Sequence, residues 1–210
     1  AMRKIAVSGL IEQSKFADVR YEVVNSTLIE SVIRLSFKET LQRYKSKPLS
    51  TSRNEEYFIN TSLLGNHNAF NLTMAVTSSL IATQDLTFED CVNGLPKSIP
   101  GRLEKVSNHA NIQCYIDYAH TPDALENSCR TLKEIKDRTN SFSLGRLITV
   151  IGAGGDRDKG KRREMLNSTM KYSDLVIVTS DNPRNEKPVD IIIDMISHLN
   201  PMAPFWVVTD

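Results

Sequence analysis

From Ile112 onward, short apolar runs alternate with longer stretches of helical spacing, and this alternation leaves few folds open. Ile112 to Tyr118 reads as a strand. Thr121-Pro122-Asp123 opens a helix to about Lys136, with proline at the first helical position, where its missing N–H costs nothing. Leu147 to Ile151 forms a second strand, Lys161 to Tyr172 a helix, Asp174 to Thr179 a third strand, Val189 to Leu199 a helix, and Phe205 to Thr209 a fourth strand. Such alternation predicts βαβ units around a mostly parallel sheet with right-handed crossovers.

Ligands of such sheets sit beyond the carboxyl ends of the strands. Three polar, turn-forming stretches fall at those ends: Asp117-Tyr118-Ala119-His120-Thr121-Pro122-Asp123, the run from Ile151 through Gly152-Ala153-Gly154-Gly155-Asp156-Arg157-Asp158-Lys159-Gly160-Lys161-Arg162-Arg163, and Ser180-Asp181-Asn182-Pro183-Arg184. They are expected to converge on one rim. The second, a strand that stops in small residues and then releases five basic side chains within seven positions, makes a concave, donor-rich loop suited to an anion.

The residues before this region read differently. Tyr21 to Phe37 is rich in β-branched residues and is broken by Asn25-Ser26-Thr27, which predicts two strands joined by a turn. Thr40 to Glu56 reads as a surface loop, followed by a short strand at Tyr57 to Ile59. Leu72 to Ala82 carries Leu72, Ala75, Val76 and Leu80 at helical spacing, after a turn over Asn66 to Asn71. Phe88 to Leu95 is a further helix with Thr87 as its N-cap, stopped by Pro96. Lys97-Ser98-Ile99-Pro100-Gly101 is the linker, since with Pro96 before it two prolines and a glycine fall within six residues and continue neither a helix nor a central strand. The domain boundary is placed there, giving residues 1–99 and 100–210.

A charge of +1, from 26 basic and 25 acidic residues, gives no global field to hold nucleic acid or an anionic membrane, so a basic site must be local. No apolar stretch approaches a membrane span, and the first residues lack the long apolar segment of a secretory signal, which reads as cytoplasmic. Cys91, Cys114 and Cys129 lack the spacing of a zinc site or a disulfide framework; Cys114 and Cys129 are expected to be core thiols. No metal ligands are identified.

Four motifs in order, Pro-Gly-Arg-Leu-Glu at 100–104, Asp-Tyr-Ala-His-Thr-Pro-Asp at 117–123, Gly-Ala-Gly-Gly-Asp-Arg-Asp-Lys-Gly-Lys-Arg at 152–162 and Asp-Asn-Pro-Arg at 181–184, resemble the Mur ligases of peptidoglycan synthesis, in particular the members that add diaminopimelate. The resemblance covers the chain after Leu63 and, more weakly, the strand-rich part before it. It implies an α/β fold: a Rossmann-like C-terminal domain that binds the incoming amino acid, preceded by the strand-and-helix tail of a central ATPase domain. The sequence contains no G-x-x-G-K-[ST] loop. The chain is therefore expected to be part of a longer enzyme, with no catalytic residue of its own and no ligase activity alone.

For the whole enzyme the resemblance implies ATP and Mg2+, an acyl phosphate on the glutamate of a UDP-linked muramoyl dipeptide, and attack by the amine of meso-diaminopimelate. It implies ATP contacts at Asn68, Asn71, Arg102, Asp117 and His120, and a diaminopimelate pocket of Arg157, Asp181, Asn182, Pro183 and Arg184. A guanidinium suits a carboxylate because it donates two parallel hydrogen bonds. Lysine lacks the second carboxylate, and leaving Arg184 desolvated and unpaired would favour diaminopimelate by a factor of about 10⁴.

Plainer readings stand beside these. Asp156 and Asp158 read as ion-paired loop residues, Lys159 to Arg163 as a solvated helix start, the glycines as a strand end, and His67, His109 and His198 as surface, loop or helix-end residues. The alternatives are another Mur or folylpolyglutamate-type amide ligase, and a non-catalytic Rossmann-like module that holds a small anion or a protein partner.

Overall fold

The computed structural model describes residues 7–8, 18–37, 56–83, 85–107, 109–110, 112–138 and 145–209. The expected loop over Thr40 to Glu56 lies outside them except for Glu56, which begins a strand. The chain separates into two compact units, Ala1–Ile116 and Asp117–Asp210.

In the first unit, β1 (Val7–Ser8), β2 (Val19–Ser26), β3 (Ser31–Phe37) and β4 (Glu56–Thr61) form one sheet in that order. The first pair is parallel and the other two are antiparallel. The β2–β3 turn holds because Thr27 Oγ1 accepts the N–H groups of Ile29 and Glu30 at 3.2 and 3.1 Å. With a side-chain period of two, Val19, Ile33, Leu35 and Ile59 fall on one face and are buried. The other face places Arg34 between Glu22 and Glu56.

Two helices, α1 (Asn66–Ala82) and α2 (Phe88–Asn93), contribute Leu72, Val76, Leu80 and Cys91 to the same core. Helix α1 starts about a turn and a half before its expected onset at Leu72. Ala69 N–H bonds to Gly65 O, the Asn68 amide donates to Leu64 O at 2.8 Å, and Ala69 extends the apolar stripe of Leu72 and Val76 backwards. Ala75, expected on that stripe, is exposed. Thr87 caps α2 as expected: its hydroxyl accepts Asp90 N–H at 3.1 Å and Asp90 accepts Thr87 N–H at 2.9 Å, a reciprocal capping box.

Pro100 and Gly101 form a turn that leads into β5 (Glu104–Val106), which pairs antiparallel with β6 (Cys114–Ile116). This corrects the reading of Ile112 to Tyr118 as the first strand of the parallel sheet. The described strand is shorter and belongs to a separate hairpin, because the return from the Pro-Gly turn supplies it with an antiparallel partner. Alternation along β6 turns Tyr115 inward, where its hydroxyl donates to Leu28 O. The same alternation turns Cys114 out, so Cys114 is exposed rather than a core thiol, whereas Cys129 is buried.

The second unit contains α3 (Pro122–Arg138), β7 (Ile148–Ile151), α4 (Gly160–Met170), β8 (Leu175–Thr179), α5 (Pro188–Ile196) and β9 (Phe205–Val208). Its strands are all parallel, in the order β7-β8-β9. Consecutive right-handed crossovers place α4 and α5 on one face of the sheet. There Ile151, Val176 and Val178 meet Leu125, Met165, Leu166, Ile191, Ile192 and Met195. Ile148, Val150, Trp206 and Val208 are exposed.

Candidate functional site

The carboxyl ends of β7 and β8 release the loops 152–159 and 180–187, and the two are interlocked. Gly155 N–H donates to Asn182 O at 2.9 Å, and Arg184 Nη1 donates to Gly155 O at 2.6 Å. A Cβ on Gly155 would lie 1.8 Å from Pro183 O, and one on Gly154 would lie 2.7 Å from Arg184 Nη1. The glycines therefore do more than end a strand: they let one backbone lie against the other.

Two residues of this clasp are held in the left-handed region, Asp156 at φ 53° and Arg184 at φ 49°. Each costs on the order of 1–2 kcal/mol for an L side chain, less for aspartate. Local bonds hold them there. Asp156 Oδ2 accepts Asn185 Nδ2 at 2.7 Å and Asn185 N at 3.3 Å, and Asn182 Oδ1 accepts Arg184 N at 3.3 Å. Asp156 is thus a hydrogen-bonded turn residue rather than the expected ion-paired one. Asp158 does pair with Lys161, at 3.9 Å, and also accepts Gly160 N at 3.0 Å.

Behind the clasp lies a residue that the basic run concealed. A solvated helix start is one reading of the run, preferred for Arg163, yet Arg162 is 1% exposed. Its Nη1 and Nη2 form a fork onto Glu186 Oε2 and Oε1 at 3.0 and 2.6 Å, and Nη1 also reaches Asp194 Oδ2 at 2.7 Å. Glu186 Oε1 in addition accepts the backbone N–H of Asp156 at 2.6 Å. The fork from Arg162, that backbone donor and nearby Lys159 hold the Glu186 carboxyl down at about 2. Helical spacing carried a signal for this: Arg162 shares the buried face of Met165, Leu166 and Thr169.

Arg157, the residue after Asp156, is exposed, as are Asp181, Asn182 and Arg184; Pro183 is partly buried. The Arg157 guanidinium makes no hydrogen bond or ion pair among the described residues, and Lys159 and Lys161, paired with Glu186 and Asp158, follow it in sequence at the start of α4. That helix end carries partial positive charge and no acidic residue in its first turn, so cations gathered there favour an anion.

The remaining expected site residues are placed as follows. In the second unit, Asp117 Oδ1 accepts Ala119 N–H at 2.8 Å, and Ala119 packs on the core. His120 Nδ1 lies 3.0 Å from Tyr118 O; a carbonyl can only accept, so Nδ1 is the donor in this contact. Because β6 is outside the β7–β9 sheet, the 117–123 motif does not issue from that sheet's edge, and the clasp is built from the other two motifs. In the first unit, Asn68 is 3% exposed with its amide committed to Leu64, whereas Asn71 and Arg102 are exposed. Among the described residues, no cluster of three His, Cys, Asp or Glu side chains could hold a metal ion, and no helix is long and apolar enough to cross a membrane.

The second unit is an α/β domain with a parallel sheet whose strand ends carry two interlocked, arginine-bearing loops. The family described as "Mur ligase, glutamate ligase domain" matches residues 101–209, and the chain belongs to the Mur ligase family. A UDP-N-acetylmuramoyl-L-alanyl-D-glutamate--2,6-diaminopimelate ligase from Aquifex aeolicus is 36% identical over 201 residues, covering 94% of this chain and 36% of that protein. One of the same description from Geobacter sulfurreducens is 42% identical over 143 residues, 67% of this chain and 26% of that protein. Among solved structures, a ligase with that description superposes with a TM-score of 0.54 at 30% identity, over 93% of this chain and 36% of that one. A Mycobacterium tuberculosis folylpolyglutamate synthase complexed with ADP gives a TM-score of 0.64 at 19% identity, over 92% of this chain and 38% of that one, and shares the fold. The chain thus covers between 26% and 38% of these relatives.

Proposed function

We propose that this chain is the amino-acid-binding part of an ATP-dependent ligase that adds meso-diaminopimelate to UDP-N-acetylmuramoyl-L-alanyl-D-glutamate in peptidoglycan synthesis. Residues 1–99 then belong to the central ATP-binding domain and 100–210 to the amino-acid domain, a division that the family match over 101–209 supports. The names of the relatives support the choice of diaminopimelate.

The observation that carries this reading is the interlocked pair of loops, with Arg157 on one and Arg184 on the other. Arg184 uses one N–H to hold Gly155 O, which fixes its guanidinium plane and leaves its other donors for a ligand carboxylate. Arg157 has its whole fork to offer. Such an arrangement binds and orients a dicarboxylate amino acid and leaves its amine free to attack an activated carboxyl group.

ATP and Mg2+ belong to the proposal for the whole protein. The sequence has no phosphate-cradling loop, and the Asn68 amide N–H donates to Leu64 O at the start of its own helix. Asn71, Arg102, Asp117 and His120 are the exposed or partly exposed positions that the reading assigns to the nucleotide side.

Calorimetry with meso-diaminopimelate and with lysine tests the pocket. The chain should prefer diaminopimelate, and Arg157→Ala should lower that affinity about tenfold or more while changing lysine binding little, as expected for loss of a charge-assisted fork. Equal affinities for both amino acids in both proteins would remove the assignment.

A further inference from the structure

A buried guanidinium needs partners, and those of Arg162 divide into two separable legs. One runs to Asp194 on α5 and touches neither loop of the rim. The other is the fork onto Glu186, which passes directly into the clasp: the Glu186 oxygen that accepts Arg162 Nη2 also accepts Asp156 N–H. Arg162 Nη2 additionally approaches Gly154 O at 3.4 Å.

This second leg meets the rim where the backbone is least favourable. Asp156 and Arg184 both adopt left-handed conformations, one immediately before Arg157 and the other two residues before Glu186. The bonds from Asn185 to Asp156 and from Arg184 N to Asn182 lie within the loops themselves, and the Glu186 contact ties that geometry to the buried Arg162. The Arg162 side chain is buried, on the helix face it shares with Met165 and Leu166, and its fork onto Glu186 is placed to do so.

We propose that Arg162, acting through Glu186, is a positioning residue for the rim, fixing Asp156 and the 184–186 turn in the geometry from which Arg157 and Arg184 project. The proposal rests on the reading above for what the rim binds, and on the clasp alone for how the rim is held.

Amide hydrogen exchange on Glu186→Gln and Asp194→Asn separates this from a general structural role. Each variant removes one negative partner and leaves Arg162 the other, so both are expected to fold. If Arg162 positions the rim through Glu186, the Gly155 and Asp156 amides should exchange about tenfold faster in Glu186→Gln, with Val176 and Val178 in the sheet unchanged. Asp194→Asn should leave the rim amides within about twofold of wild type. Equal effects of the two variants at the rim, or equal acceleration of rim and sheet amides, would overturn the proposal. Calorimetry on the same proteins keeps the two claims apart. A wild-type chain with no preference for diaminopimelate over lysine counts against the proposed function alone. Glu186→Gln that exchanges faster at the rim yet keeps the full wild-type preference shows that the positioned geometry does not serve recognition, and overturns the positioning role.

Discussion

Gly155 carries the greatest steric demand of any residue in the rim. Pro183 O occupies the space its Cβ would need, so Gly155→Ala cannot be absorbed by a rotamer change, and one of the two loops must move. The expected loss is roughly 1–3 kcal/mol of stability, the usual cost of overpacking, read as a lower urea midpoint at unchanged slope. Loss of rim amide protection should accompany it. An unchanged midpoint would mean that the loops are not packed as described. Glycine in a strand-to-helix loop is easily read from sequence as a chain stop. Which glycines face another backbone is a tertiary fact, and no local pattern marks Gly155 apart from Gly152 or Gly154.

At the scale of elements, the two loops behave as one charged unit, and pH should act on them through Glu186. Its carboxyl lies near 4.5 in an unfolded chain and about 2 in the fold, held down first by Arg162. A depressed acid contributes stability that is complete above the unfolded value and lost as pH falls through the folded one. The difference in urea midpoint between wild type and Glu186→Gln should therefore be full above about pH 4.5 and shrink towards about pH 2. A difference that stays constant across that range would contradict the ion pair.

Much of this architecture is legible locally. Thr87 and Asp90 announce their helix start, and Leu175 to Val178, apolar at every position, reads directly as a strand buried in a parallel sheet. Cys114 to Ile116 is a strand by pattern, but pattern does not name its partner, and the Pro-Gly turn gave it β5 instead of the parallel sheet. Arg162 failed for a related reason. Four cations within five positions resemble a solvated face, and the partners that bury one of them, Glu186 and Asp194, lie more than twenty residues away. The exposed arginines of the rim stand in contiguous motifs that the sequence displays. The residue behind them was missed because its constellation is not contiguous.

For the molecule as a whole, family membership rests on residues 101–209, while the chemistry proposed for the complete enzyme draws on a chain between two and three times the length of this sequence. The proposal that belongs to this chain itself is narrower: that a dicarboxylate amino acid binds at the double loop at the ends of β7 and β8. The same fold at 19% identity in a folylpolyglutamate synthase shows the scaffold and says nothing of the pocket, so the rim residues have to be tested directly. Titrating meso-diaminopimelate into the isotope-labelled chain and following backbone amide shifts does this. The account predicts that the largest shifts fall on Gly154 to Arg157 and Asp181 to Asn185, with lysine producing much smaller ones at the same positions. Shifts centred elsewhere, or of equal size for the two amino acids, would contradict it.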